Sequence, residues 1–302
     1  MWHRVLFGTS LAALGLAVSV TRALQAAQAP PRVPDASDPS SIADLAPLSA
    51  PTDALMAGAV EAFRRGDLLR ARDLATRALA AGQRQAPLYK LLAVTEYLLG
   101  DAPQFETHIR EALALAPEEA DLHYHLARHL YEQKRYREAA TSFGRASTLS
   151  PDHYKARYYE GLVAEVMGQP DRARELFSNA IATIERLRVR YVWPHVDLGR
   201  LLVDQGDIER GLGWLYRAVR TDPELPYGQY EYAKALLREG PTADVERALL
   251  EAIRLDPGYA SAYYVLARYY AKIGDEQRAQ QTLAKFKDVQ ADDMPSPYGL
   301  RR

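Results

Sequence analysis

Three pairs in which tyrosine stands four residues before a basic residue recur at the same position of an internal repeat, and these pairs are the clearest candidates for binding chemistry. The pairs are Tyr124 with Arg128, Tyr230 with Lys234, and Tyr264 with Arg268. Residues four apart lie on one face of an α-helix. Tyrosine offers a large contact area and arginine can bind a carboxylate through two hydrogen bonds, so the repetition favours a protein-binding surface. The alternative is a cation–π contact within each pair that only covers the helix face.

Histidine is the other residue type with a suggestive spacing. His125 and His129 lie four residues apart, which allows two imidazoles to share Zn²⁺ or Cu²⁺. A structural metal site needs two further ligands, and no fitting carboxylate pair accompanies them, so we expect neither a metal nor another cofactor. The chain has no cysteine, which excludes disulfides and thiolate ligands. It also lacks a phosphate-binding loop, a nucleophile elbow and a paired-histidine metalloprotease motif, so we do not expect an enzyme.

The elements that carry these residues recur every 34 residues, with a single step of 38. Seven units begin at Thr52, Ala86, Ala120, Tyr154, Val192, Pro226 and Ala260. The eighth place of each unit is small: Ala59, Ala93, Ala127, Gly161, Gly199, Ala233 and Ala267. A period in this range is typical of stacked supersecondary units.

Each unit is predicted to be a pair of helices joined by a tight turn. The fifteenth place is glycine in six units and Lys134 in the third. Glycine there supplies the left-handed conformation that ends a helix. Small residues at places eight and twenty let the two helices approach closely, and larger residues such as Phe177 and Leu198 fill the space around them.

This combination of positions resembles the tetratricopeptide repeat family from about Thr52 to Val289. The resemblance implies an all-α fold, a right-handed α-solenoid superhelix of about seven helix-turn-helix repeats. The tryptophan that the family usually has at place four is absent, and His195 stands there in unit five. The resemblance also implies that first helices line a concave groove, with places two, five, nine and twelve pointing into it. The predicted partner-binding residues are Lys90, Tyr97, Tyr124, His125, Arg128, Tyr131, Tyr158, Trp193, Arg200, Tyr227, Tyr230, Lys234, Tyr264 and Arg268.

The groove is not predicted to be uniformly basic, because Asp121, Asp197 and Glu231 lie on or beside the same wall. The step of 38 comes from four additional residues, Arg188 to Tyr191, at the end of unit four. They add about one turn if they are helical, and would then change the angle between units four and five. A neutral loop insertion is the alternative.

The N-terminal residues differ from the repeats. Arg4 precedes an apolar run from Val5 to Val20, and small residues follow, so residues 1–29 are predicted to be a secretory signal peptide. An uncleaved membrane anchor is the alternative. Either places the repeats outside the cytoplasmic membrane, which in a bacterium with two membranes is the periplasm. Residues 30–51 are a predicted proline-rich linker, 52–290 the repeat domain, and 291–302 a disordered tail.

These observations predict an exported scaffold or adaptor that binds a protein or peptide partner in the groove. The formal net charge of −1 gives no argument for nucleic acid or an anionic membrane as partner. Membrane contact is expected only through residues 1–29, if they are retained. The alternative function is that of a permanent structural subunit of a cell-envelope assembly.

Overall fold

The structure is a computed structural model that describes residues 54–292. The predicted signal peptide and linker lie outside the described residues, as does most of the predicted tail. Within residues 54–292 the chain forms fourteen α-helices and no strand, and none of these helices is long and apolar enough to cross a membrane. The helices are α1 Ala54–Arg64, α2 Leu68–Ala80, α3 Ala86–Leu98, α4 Ala102–Leu115, α5 Ala120–Glu132, α6 Tyr136–Leu149, α7 Tyr154–Val166, α8 Pro170–Leu187, α9 Trp193–Asp204, α10 Ile208–Thr221, α11 Pro226–Glu239, α12 Ala243–Leu255, α13 Ala260–Lys272 and α14 Glu276–Asp292.

The helices stack in chain order. Each odd-numbered helix packs most extensively on the even-numbered helix that follows it, and each even-numbered helix also packs on the next odd-numbered helix. First helices of adjacent units touch as well, most extensively α9 with α11. This arrangement of helix pairs confirms the predicted all-α solenoid.

The turn inside each unit is built around one residue with positive φ at place fifteen. Six of these residues are glycines, and the seventh is Lys134, with φ of 59°. A left-handed conformation costs a residue other than glycine about 1–2 kcal/mol. Lys134 adopts it nevertheless, so the packing of α5 against α6 fixes this turn even without glycine.

Aspartate after the turn glycine connects the two helices of several units. The backbone N–H of Asp101 donates to the Glu96 carbonyl (2.9 Å) and so closes the end of α3. The carboxylate of Asp101 then accepts from the backbone N–H of Gln104 and caps the start of α4. The same side-chain cap occurs at Asp67, Asp207 and Asp275.

The core of each unit depends on small residues where the two helices cross. In unit five both crossing residues are glycine. A Cβ on Gly199 would lie 2.9 Å from the Gly211 carbonyl oxygen, and one on Gly211 would lie 2.7 Å from the Gly199 carbonyl oxygen. Large side chains surround such crossings, and Phe143, Phe177 and Leu215 are completely buried.

The additional turn of unit four is present, but it lies earlier than the sequence predicted. Helix α8 has 18 residues, whereas α6 and α10 have 14 each. Arg188 ends α8 with a left-handed φ of 55°, so residues 188–191 form the connection to α9 rather than a turn of helix. The extra turn is made by residues 184–187, whose first residue, Ile184, is buried.

The glycine crossing in unit five predicts that replacing glycine by alanine destabilises the protein at the crossing but not at a glycine away from it. We expect Gly199→Ala to lower the free energy of unfolding by about 1–3 kcal/mol, because its Cβ would overlap the backbone of α10. The control is Gly213→Ala, also within a helix, where nothing lies within 4 Å of the new Cβ. Alanine there should be neutral or stabilising by about 0.5–1 kcal/mol. Urea unfolding followed by circular dichroism measures both, and equal midpoints for the two variants would contradict the close crossing.

Candidate functional site

The predicted groove residues all lie on odd-numbered helices, and together they form what we call the first-helix surface. Their exposure differs along the chain. The buried members are Lys90, Tyr124, His125, Arg128, Tyr131, Tyr158 and Tyr230. The half-buried members are Tyr97, Trp193, Arg200, Tyr227, Lys234 and Tyr264, and Arg268 is exposed. The side chains that can offer contact area to a partner are therefore concentrated from α9 to α13.

A buried carboxylate occupies the centre of this surface. Asp197 on α9 is completely buried. Its Oδ2 accepts a hydrogen bond from Tyr158 Oη on α7 (2.7 Å), and its Oδ1 accepts one from Tyr227 Oη on α11 (2.8 Å). Burying a carboxylate is costly unless hydrogen bonds and a positive charge compensate it. Arg200 supplies that charge, with Nε 3.4 Å from Asp197 Oδ1.

The network ties three consecutive units together. Arg200 also reaches back to α7, where its Nη2 lies 2.6 Å from Glu165 Oε2. Burial, and after it the charge of Asp197, raises the pKa of Tyr158 and Tyr227 well above the ordinary tyrosine value. Both hydroxyls are therefore protonated and donate to Asp197 at neutral pH.

In each of the three tyrosine–cation pairs predicted from the sequence, the cation lies close to the tyrosine ring. The cation lies 5.9 Å from the ring centroid in the pair Tyr124–Arg128, 5.1 Å in Tyr230–Lys234 and 5.9 Å in Tyr264–Arg268. These distances agree with the cation–π contact that the sequence left open as the alternative. The first pair is buried, whereas the third is the most accessible.

Most cations of the first-helix surface also have an acidic partner. Lys234 Nζ lies 2.8 Å from Glu231 Oε2. Lys90 Nζ lies 2.6 Å from Glu119 Oε1, and 3.5 Å from a carboxylate oxygen of Asp121. Such pairs neutralise one another, so the surface is not the positively charged wall that its arginines and lysines suggest by themselves.

An aromatic pair lies between units five and six. The rings of Trp193 and Tyr227 stack with a centroid distance of 5.7 Å and an interplanar angle of 18°. Both side chains are half-buried. Since the Tyr227 hydroxyl is held by Asp197, this pair presents a flat apolar surface in a fixed orientation.

The two histidines with metal-ligand spacing face different neighbours. His129 Nε2 lies 3.4 Å from Glu106 Oε2, and its ring packs against Phe105. Burial lowers the pKa of His125 to about 3, with the charges of Arg128 and Lys90 acting in the same direction. Among residues 54–290, no three His, Cys, Asp or Glu side chains are grouped so that they could hold a metal ion.

Sequence reasoning did not identify the function of Asp197 and Glu231, although both were placed near the wall. They share place six of their units, and both are buried. The sequence signal that could have identified them is an acid at a place of the repeat where other units have Leu91, Tyr159 or Val265. A carboxylate in such a position indicates a buried hydrogen-bond network.

The Asp197 network predicts a large loss of stability on its removal. Asp197→Ala should lower the free energy of unfolding by about 2–4 kcal/mol, because two buried hydroxyls lose their acceptor and Arg200 loses a counter-charge. The matched control is Asp204→Ala, an exposed carboxylate 3.5 Å from Arg200, which should change stability by less than about 0.5–1 kcal/mol. Urea unfolding and hydrogen exchange in α7 and α11 test this. Equal effects of the two substitutions would show that Asp197 does not couple the units.

Buried His195 predicts a pH-dependent stability. Burial, followed by the charge of Arg217, lowers its pKa to about 4, and its ring packs against Trp214. An unfolded histidine has a pKa of about 6.5, so the unfolded state takes up a proton first, and stability falls as the pH drops from about 6.5 to 4. His195→Phe should reduce this loss by about 1–3 kcal/mol.

Melting temperatures of wild type and His195→Phe at pH 7.5 and pH 4.5 give the comparison. His123→Phe is the control, since it changes a half-buried histidine at the same place of unit three. If all three proteins lose the same stability on acidification, His195 is not the group responsible.

Helix pairs repeated along one stack, with small residues at each crossing, define an α-solenoid repeat protein. Sequence profiles of the tetratricopeptide repeat match residues 106–152, 124–185 and 248–281. These residues are tetratricopeptide repeats. The matched residues run from the second helix of unit two through most of unit four, and from the second helix of unit six into unit seven.

One curated relative and two solved structures illustrate the similarity. The chain is 32% identical over 85 residues to "TPR repeat-containing thioredoxin TTL4" of Arabidopsis thaliana; the match covers 28% of this chain and only 12% of the length of that relative. A tetratricopeptide repeat protein from Parabacteroides merdae superposes with a TM-score of 0.62 and 16% identity, covering 78% of this chain and 91% of that one. PilW, a type IV pilus biogenesis factor, gives 0.61 and 18%, covering 71% and 96%. At these identities the two structures show the shared fold.

Proposed function

We propose that this protein is an exported scaffold or adaptor that binds a protein or peptide partner along the first-helix surface, from α9 to α13. The observation that carries the proposal is the stacked, half-buried pair Trp193–Tyr227. Aromatic side chains of this kind are the residues that contribute most to binding at protein interfaces. They lie on helices rather than loops, so the surface needs little reorganisation to receive a partner.

Preorganisation supports this part of the surface as the binding region. The Tyr227 ring is fixed by Trp193 on one side and by the hydrogen bond from its hydroxyl to Asp197. A side chain that is already immobile loses little entropy when a partner binds. The buried members of the same surface, such as Tyr158, instead support it from below.

Binding is favoured over catalysis by the state of the charged side chains. Arg200 is engaged by Glu165 and Asp197, and Lys234 by Glu231. Catalytic groups are usually held with perturbed pKa values around an open pocket, whereas Arg200 joins α9 to α7 through Glu165 and Lys234 pairs with an acid of its own helix. The same pairing argues against nucleic acid, which would need unpaired cations along the surface.

Export to the periplasm is part of the proposal and depends on residues 1–29, whose basic start and apolar run are typical of a signal peptide. If the segment is retained as an anchor, it is also the proposed membrane contact. Fusion of residues 1–51 to a reporter that is active only outside the cytoplasm tests export, and immunoblotting of the full chain tests cleavage. A reporter that stays inactive would contradict it.

Site-specific photo-crosslinking in the native cell tests the binding surface. We expect the full chain with p-benzoylphenylalanine in place of Tyr264, on the first-helix surface, to give a discrete adduct with a partner. The control carries the same photo-reactive residue in place of Tyr216, which is exposed on second helix α10. Adducts from position 216 alone would place binding on another face and contradict the proposal.

The same preparation separates an adaptor from a permanent subunit. An adaptor purifies as a soluble protein free of its partner, and sedimentation then shows only this chain. A protein that aggregates when made alone, and that is recovered only with its partner at a fixed ratio, is a structural subunit.

A further inference from the structure

The first-helix surface has one cation that its own acids do not neutralise. At place nine, Arg200 and Lys234 have acidic partners, and Arg128 Nη2 lies 3.9 Å from Glu132 Oε1. Arg268 holds the same place in unit seven, and within the described residues no acidic side chain lies within ion-pair distance of it. It is also the only exposed member of the predicted set.

The sequence of unit seven explains this difference. In units three, five and six the partner acid comes from place six (Asp197, Glu231), from place thirteen (Glu132) or from place twelve of the preceding unit (Glu165), which for Arg268 is Leu237. In unit seven place six is Val265 and place thirteen is Lys272. The acid is therefore replaced by an apolar residue at two of these positions and by a second cation at the third, so the positive charge of Arg268 is left available.

Arg268 is nevertheless held in place. Its guanidinium lies over the Tyr264 ring, with Cζ 5.9 Å from the centroid. Its charge also reaches Tyr230 on α11, where it opposes the rise in pKa that burial of that tyrosine causes. A guanidinium that rests on aromatic rings keeps its planar fork of donors free for a carboxylate.

We infer that the partner contributes an acidic extended segment, in which an aspartate or glutamate pairs with Arg268 while an apolar side chain packs on Trp193 and Tyr227. This inference rests on the proposed function, because it assigns a chemistry to the same surface. Neighbouring helices lie about 8–10 Å apart, and an extended chain spans about 3.3 Å per residue. Because Arg268 on α13 lies two first helices beyond Trp193 on α9, the span is about 16–20 Å, and the acid should follow or precede the apolar residue by roughly five positions.

Selection from a random library of 12-residue peptides displayed on phage, with the full chain as bait, tests the inference. Wild type should enrich peptides with an acid four to six residues from an aromatic or large aliphatic residue. A selected peptide, labelled with fluorescein, should bind about tenfold more weakly to Arg268→Glu. The matched control is Arg247→Glu, which makes the same change of charge on second helix α12 and should leave the affinity unchanged.

Charge exchange gives the sharpest outcome. Replacing the acid of the selected peptide by lysine should abolish binding to wild type and restore it in part to Arg268→Glu. If peptides are enriched and Trp193→Ala weakens them, but Arg268→Glu does not, the inference is wrong and the proposed function stands. If no peptide is enriched, or if Trp193→Ala has no effect on those that are, the proposed function itself fails.

Two other occupants are distinguished by the same proteins. Sedimentation that shows self-association of wild type, lost in Arg268→Glu, would identify a second copy of this chain as the occupant and overturn the inference. The segment 30–51 contains Asp35, Asp38 and Asp44. If changing these three to asparagine in the full chain strengthens peptide binding about tenfold or more, the chain's own linker is the occupant.

Discussion

Where α9 crosses α10, the carbonyl oxygens of Gly199 and Gly211 leave no room for a Cβ on either helix. This close approach of two helix backbones is the constraint that the rest of the structure depends on, and the residue at place eight is small and buried in every other unit as well. The close approach brings the flanking side chains into contact, so that Leu215 is completely buried beside the crossing. The residue at place fifteen has a positive φ in every unit, even at Lys134, because two helices packed this closely need a sharp turn between them.

Units of a solenoid contact only their neighbours, so the form of the array is decided at the junctions between units. The junctions around unit five are reinforced by Asp197, which accepts hydrogen bonds from α7 and α11 while it lies on α9 itself. The extra turn of α8 lengthens the second helix just before this unit. A lengthened helix and a buried carboxylate thus occur at the same point, and the stacked pair Trp193–Tyr227 is built directly on that carboxylate.

The repeat register predicted the helix pairs, the turns and the buried crossings, because each depends on residues within one unit. It did not predict how exposed the first-helix surface is. The neutralisation of Arg200 needs Glu165, which lies 35 residues earlier and in another unit. Such a contact depends on the angle between units, which a pattern of small residues does not encode. The predicted position of the extra turn was wrong for a related reason. Helix α8 ends where Arg188 adopts a left-handed conformation, and an arginine in the sequence does not indicate that conformation.

The internal pairing of charges has a consequence for how this surface selects a partner. Free cations along the whole surface would attract any polyanion, whatever its shape. Pairing Lys90, Arg200 and Lys234 with nearby acids removes that general attraction. The pairs Lys90–Asp121 and Arg200–Glu165 also connect neighbouring units. In the proposed mode of binding, recognition depends on the distance between two features, the aromatic pair of units five and six and the cation of unit seven. A partner must match that distance as well as the chemistry, and rigid stacking of the units is what keeps the distance constant.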